Sequence, residues 1–263
     1  MIIVIKKISM IIAVASPSGA GKTHWIHQQI AQTNESIGYF SPKTDFIPID
    51  ATYLQSEYPQ LKIYQTGEEA ALLAGSDQTI TYIEIPWYLD LSGIEPLLTS
   101  LNSHRVAIIS PDANNTEFTT WADEVVSGNQ ITKLTTSLQI HRGVLTGEIL
   151  DFDSLATFWL EMTQGAYGEV VRAKGIFDLE DGQIYFGDFT ANQPELEFKP
   201  LNLPRWLDGK PVRKSGFEIV GNNLKQAEIA QTVKDCCVPE SAISYYQQQV
   251  KESLATEPEV ELV

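Results

Sequence analysis

Two cysteines are all this sequence offers, and they are neighbours, Cys236 and Cys237. Adjacent cysteines make a poor clamp and no third exists to pair with, so a disulfide framework is excluded, which fits a reducing compartment. Basic residues are also scarce: 18 Lys and Arg stand against 34 Asp and Glu, a net charge of −16. That balance argues against a broad nucleic-acid surface, which needs clustered cations to neutralise phosphates. No apolar run reaches the roughly 18 residues that would span a bilayer, so no membrane partner is expected. The four histidines show no metal-ligand spacing, and no structural zinc is expected. The opening MIIVIKKISM starts apolar, where a secretion signal starts polar and positive. Ala13-Val14-Ala15 imitates a cleavage site, but cleavage there would remove the β-branched run before the next loop. Met10 serves equally as a start that keeps that run. The expected location is the cytoplasm.

What is present suffices for a core: 43% of the 263 residues are hydrophobic. Strand-like runs at 8–15, 37–40, 79–85 and 106–110 are separated by helix-length segments, with shorter candidates at 125–126 and 138–140. That alternation predicts a mostly parallel sheet with crossover helices. Beyond residue 150 the texture changes. A helix is expected over 153–162 with Asp151 or Asp153 as N-cap, then a hairpin of 167–179 and 183–189 turning at Glu180-Asp181-Gly182. A strand at 217–220 and a helix capped by Asn222-Asn223 and running to about Cys236 complete a small α+β unit. The expected domains are therefore 1–150 and 151–240, followed by an acidic tail at 241–263 that lacks a clear period.

The sharpest motif lies between the first strand and the first helix. Ser16-Pro17-Ser18-Gly19-Ala20-Gly21-Lys22-Thr23 follows the phosphate-binding pattern G-x-x-x-x-G-K-[ST], with serine in place of the first glycine. Gly19 and Gly21 let the backbone wrap so that the N–H groups of Ser18, Gly19, Ala20 and Gly21 point at phosphate oxygens. Lys22 would neutralise the β and γ phosphates, and Thr23 would offer its hydroxyl to Mg²⁺. The helix that begins there adds its positive end. The expected ligand is Mg²⁺ with GTP or another nucleoside triphosphate.

With that loop, the order of further segments resembles the CobW-like branch of the SIMIBI-class GTPases. SPKTDFIPID, YIEIPWYLDLSGIEPLL, VAIISPDANNTEF and WADEVV carry the resemblance in the first half. YGEVVRAKGIFDL and FEIVGNNLKQAEIAQTVKDC carry it in the second. The resemblance implies an α/β fold: a P-loop NTPase domain with a mostly parallel sheet, then a small α+β domain like the CobW C-terminal one. It also implies GTP hydrolysis, weak or partner-dependent, and a connection to metal homeostasis. A protein partner would bind through the carboxyl-terminal domain.

The departures are equally legible. The Cys-x-Cys-Cys motif of the family's metallochaperones is missing, and the corresponding QTGEEAALLAG holds only Glu68 and Glu69. Adjacent thiols on a helix point about 100° apart, so Cys236 and Cys237 chelate poorly together. His24 and His27, three apart on the loop's helix, are read as a solvated or packed face. The guanine-reading Asn-Lys-x-Asp is absent, and neither Asp123 nor Asn129 stands in its frame. Glu84, in the acidic position at a strand end, would hold Mg²⁺ through water or position the attacking water. Arg172 and Lys174 share a strand face that would meet a partner, an anion or solvent.

Three functions remain open. One is a CobW-like nucleotide-binding GTPase in which Lys22 and Glu84 serve catalysis. Another is a small-molecule kinase with Asp45 or Asp50 as base. The last is a degenerate relative used as an interaction module.

Overall fold

The computed structural model describes residues 10–42, 46–75, 79–112, 116–131, 138–191, 193 and 197–256. The chain divides into two compact units, Met1–Lys133 and Leu134–Val263.

The first unit runs β1 (Met10–Ala15), α1 (Lys22–Ala31), β2 (Ser36–Phe40), α2 (Ile49–Glu57), β3 (Lys62–Tyr64) and α3 (Glu69–Gly75). It continues with β4 (Thr79–Glu84), α4 (Leu91–Ser100), β5 (His104–Ile109), α5 (Glu117–Trp121) and β6 (Glu124–Ser127). The strands form one sheet in the order β3-β2-β4-β1-β5-β6, and every pairing is parallel. Such a sheet must be covered on both faces, because its crossover helices lie on both. The alternation along β1 shows how. Ile12 and Val14 pack with Ile26 and Ile30 of α1 and with Ala51 and Leu54 of α2. Ile11, Ala13 and Ala15 pack on the other face with Leu72 of α3 and with Leu91, Ile94 and Leu98 of α4. Because β1 lies between β4 and β5 with helices leaving on opposite faces, its carboxyl end is the topological switch point, where open sheets of this kind bind their ligands.

The second unit contains β7 (Gln139–Val144), α6 (Phe152–Thr163), β8 (Glu169–Asp178), β9 (Ile184–Thr190), β10 (Glu197–Pro200), β11 (Gly216–Asn222), α7 (Gln226–Asp235) and α8 (Glu240–Thr256). Its sheet, ordered β10-β9-β8-β11-β7, is antiparallel throughout. One face packs Ala173, Phe177, Phe217 and Ile219 against Phe158, Trp159 and Met162 of α6 and Ile229 and Val233 of α7. The expected mixed α/β architecture, a parallel sheet followed by a small α+β unit, is the one observed.

Three local expectations need correction. The division falls at 133/134 and not at 150, because residues 139–144 pair antiparallel with β11 and so belong to the second sheet. Asn222 and Asn223 do not cap α7: Asn223 takes φ 52°, and the cap position is Lys225, whose N–H donates to the Tyr167 carbonyl at 3.0 Å. The segment expected as a tail from 241 is helical to Thr256. Ile243 packs there with Ile149 and Val238, while the Gln247 amide both donates to and accepts from the Gly209 backbone at 2.8 and 2.9 Å.

Candidate phosphate-binding site

The loop from Ser16 to Gly21 joins the buried end of β1 to the first turn of α1. It closes tightly because Gly19 and Gly21 adopt φ of 81° and 100°, in the left-handed region that disfavours side chains. Gly21 is the N-cap of α1 and provides no side-chain cap, so the helix presents its first N–H groups toward the loop. A second segment braces the loop from outside. The Asn129 N–H donates to the Ala20 carbonyl at 3.0 Å. Gly128 permits that approach, since a Cβ there would stand 2.4 Å from the Ala20 oxygen. The Asn129 side-chain amide lies beside Gly21. Asn129 therefore reaches the loop, whereas Asp123 sits at the opposite, amino end of β6, where its carboxylate accepts the Arg105 N–H.

Lys22 folds back over the loop. Its ammonium donates to the Ser16 hydroxyl at 3.1 Å and approaches the Ser16 carbonyl at 3.5 Å. The serine that replaces the pattern's first glycine is thus a partner of the lysine, and it is buried.

Thr23 looks the other way, into a cluster of acids. Its hydroxyl lies 2.9 Å from Glu84 Oε1 and 3.3 Å from Asp50 Oδ1, and one proton serves both. Parallel pairing of β4 with β1 brings Glu84 there, with Val14 opposite Glu84 in register. Asp50 arrives from the first turn of α2. Glu84 is only 5% exposed, so it is no surface acid at a strand end. Its second oxygen, Oε2, accepts a hydrogen bond of 3.0 Å from the Tyr39 hydroxyl, and the Ser41 hydroxyl donates to its backbone carbonyl at 3.1 Å. Burial, then the Glu84 and Asp50 charges, push the Tyr39 phenol well above its ordinary value. It stays protonated and acts as a donor.

The donor set is hard: one hydroxyl and two carboxylates, all oxygen. It fits Mg²⁺, which prefers oxygen ligands and keeps several waters, and it offers nothing to a thiophilic ion. Among the described residues, no group of three or more His, Cys, Asp or Glu side chains is placed to hold a metal.

The other residues singled out in the sequence do not converge on this site. Glu68 and Glu69 accept the backbone N–H groups of Gln65 and Gly67 and fix the turn into α3. His24 meets Gln28, and His27 stacks on Tyr53 with Tyr58 against its ring nitrogen. In the second unit Arg172 pairs with Asp188 and donates to the Phe189 carbonyl at 2.9 Å, while Lys174 stands opposite Glu218 and Asp188 in register. Cys236 closes α7, and burial pushes both its thiol and that of Cys237 up to about 11. Asp45 lies outside the described residues.

Sequence reasoning missed Tyr39 and the tie between Ser16 and Lys22. Tyr39 sits inside an apolar run and reads as core; the signal is its hydroxyl, which needs a partner once buried.

No protein-family model and no curated protein matches this chain. Among solved structures, it is similar to zinc-bound YjiA GTPase from E. coli at 12% identity, with 86% of this chain and 98% of that one covered and a TM-score of 0.30. It is similar to a zinc-bound triple mutant of YjiA GTPase at 13% identity, with the same coverage and TM-score. At so low a TM-score the chemistry of the site rests on its own geometry.

Proposed function

We propose that the chain is a CobW-like nucleotide-binding protein that holds a Mg²⁺–nucleoside triphosphate in the Ser16–Thr23 loop and hydrolyses it slowly. The observation that carries this reading is the division of labour at the loop. A cation folds over a glycine-formed backbone turn on one side, and the Thr23 hydroxyl meets two carboxylates on the other.

The N–H groups from Ser18 to Gly21 and the first turn of α1 would face the phosphate oxygens. Lys22 would exchange its Ser16 partner for a phosphate oxygen, neutralising charge where it builds up during transfer. Thr23, Glu84 and Asp50 are the residues that would hold Mg²⁺. When bound, Mg²⁺ would withdraw charge from the β and γ oxygens. Glu84 would also orient a water for attack. The family's base-reading motif is lacking, so the reading extends to a nucleoside triphosphate, with GTP favoured by the sequence resemblance alone. A role in metal homeostasis and a protein partner at the second unit rest on that resemblance too.

A second reading, phosphoryl transfer to a small hydroxyl substrate, is favoured by Asp50. Its carboxylate sits at the phosphate end of the loop, where an acceptor base would stand.

Titration of the purified protein with labelled GTP and ATP, with and without Mg²⁺, tests the first reading. Lys22→Ala is expected to weaken triphosphate binding by about tenfold or more, the worth of a hydrogen bond to a charged group, with the fold intact. Unchanged binding in that variant would overturn the loop assignment. Release of inorganic phosphate without an acceptor supports hydrolysis; phosphoryl transfer seen only when a hydroxyl substrate is added supports the kinase. Binding without turnover supports an interaction module.

A further inference from the structure

One side chain meets Glu84 at the oxygen that is not turned to Thr23. Tyr39 occupies the fourth position of β2, directly opposite Tyr82 of β4 in register. Glu84 is two residues beyond Tyr82 on the same face of the sheet, which makes Tyr39 and Glu84 diagonal neighbours across the strand pair. The phenol reaches over that diagonal to Oε2 at 3.0 Å, and Oε1 is left toward Thr23 at 2.9 Å. Tyr39 is 1% exposed and Glu84 5%, so water does not substitute for the phenol. Tyr39 and Phe40, successive residues of β2, are buried in the cores on opposite faces of the sheet, and the hydroxyl of Tyr39 is the polar group that burial obliges to find a partner.

We propose that Tyr39 is the positioning residue of this site, its phenol fixing one oxygen of Glu84 so that the other faces Thr23 and the divalent cation held there. The proposal rests on reading Ser16–Thr23 as a Mg²⁺–triphosphate site. Tyr39 touches neither nucleotide nor metal; it acts through Glu84. A carboxylate with one oxygen pinned cannot swing out of line, so the cation meets a preset ligand and the reorganisation cost falls. Without the phenol, Oε2 would be a buried acceptor without that donor, and Glu84 would turn toward whichever donor it could reach.

The test is Tyr39→Phe, with a fluorescent GTP analogue titrated in excess Mg²⁺ and again in EDTA, beside a thermal melt. The expected result is EDTA affinity within about twofold of wild type, and a Mg²⁺-dependent gain in affinity reduced by about tenfold, the worth of one hydrogen bond to a charged group. In a Glu84→Gln background, Tyr39→Phe should then change nothing further, because the residue it acts through is gone. Equal losses in both arms, or no loss in either, overturn the proposal while leaving the nucleotide reading in place. So does a Tyr39→Phe protein that fails to fold, since the phenol would then hold the sheet and not the site. Additive losses with Glu84→Gln likewise overturn it. Wild-type protein that binds in neither arm overturns the nucleotide reading, and this proposal with it.

Discussion

Cys236 and Cys237 show how little a residue type says before its surroundings are known. Adjacency alone marks them as poor joint chelators; their surroundings add that Cys236 is buried at the end of α7 and that the Cys237 thiol donates to the Val233 carbonyl. Burial comes first among the causes that push both thiols from 9.0 to about 11; nearby carboxylates and the neighbouring thiol add to it at Cys236. The sign of the consequence is fixed. A group whose folded value is raised contributes stability that is complete below its unfolded value and is lost as pH rises through the folded one. Stability should therefore decline between about pH 9 and pH 11 as the unfolded chain gives up its thiol protons first. Urea unfolding across that range measures it, and Cys236→Ser with Cys237→Ser should flatten the decline. A double variant whose alkaline profile matches the wild type would show that the thiols are no more buried than free cysteine.

At the scale of elements, the sequence was most legible where local chemistry decided the outcome. β1, the glycine loop and α1 follow from an apolar run, two glycines and a lysine, because backbone freedom and charge act within a few residues. The hairpin of β8 and β9 turns at Asp181-Gly182, with Gly182 at φ 79°, as its turn residues require. Of the two candidate caps for α6, Asp151 is the one used: its carboxylate accepts from the Ser154 N–H at 2.9 Å and from the Ser154 hydroxyl at 2.6 Å. Asp151→Ala should destabilise the second unit by about 1 kcal/mol, the usual worth of an N-cap, seen as a lower denaturation midpoint at unchanged slope. No change would mean that the α6 terminus is held by packing alone. Where pairing over long sequence distance decides, the sequence was silent. Glu84 meets Thr23 across 61 residues and Tyr39 across 45, and no local spacing encodes either approach. The short strands β3 and β10 were equally hidden, being three and four residues long. The helix α8 was hidden by its polarity: only Ile243 and Gln247 are buried, so its apolar stripe is too thin to read.

For the molecule as a whole, the decisive element is β7. It lies ahead of the texture change near residue 150 and yet belongs to the later sheet, so composition placed the boundary one strand too late. Its contribution is physical. β11 is paired on both sides, with β8 and with β7, from Gly216 to Gly221. Removing β7 would leave a row of β11 backbone groups without partners and turn an inner strand into a new edge. The Leu145 side chain, which belongs to the same core as Phe158 and Phe217, would be lost with it. Two fragments discriminate between the boundaries. One beginning at Leu134 retains β7 and should fold cooperatively, with a single urea transition and dispersed amide resonances. One beginning at Asp151 lacks β7, the Leu145 contact and the bond from the Leu150 N–H to the Asp178 carbonyl. It should be several kcal/mol less stable, given roughly 1 kcal/mol for each lost hydrogen bond and 2–5 kcal/mol for an excised core leucine. Such a loss is comparable to the whole stability of a small domain. Aggregation or a molten state of the shorter fragment beside a folded longer one is the expected outcome. Equal stability of the two would return the boundary to 150 and make β7 an ornament of the sheet.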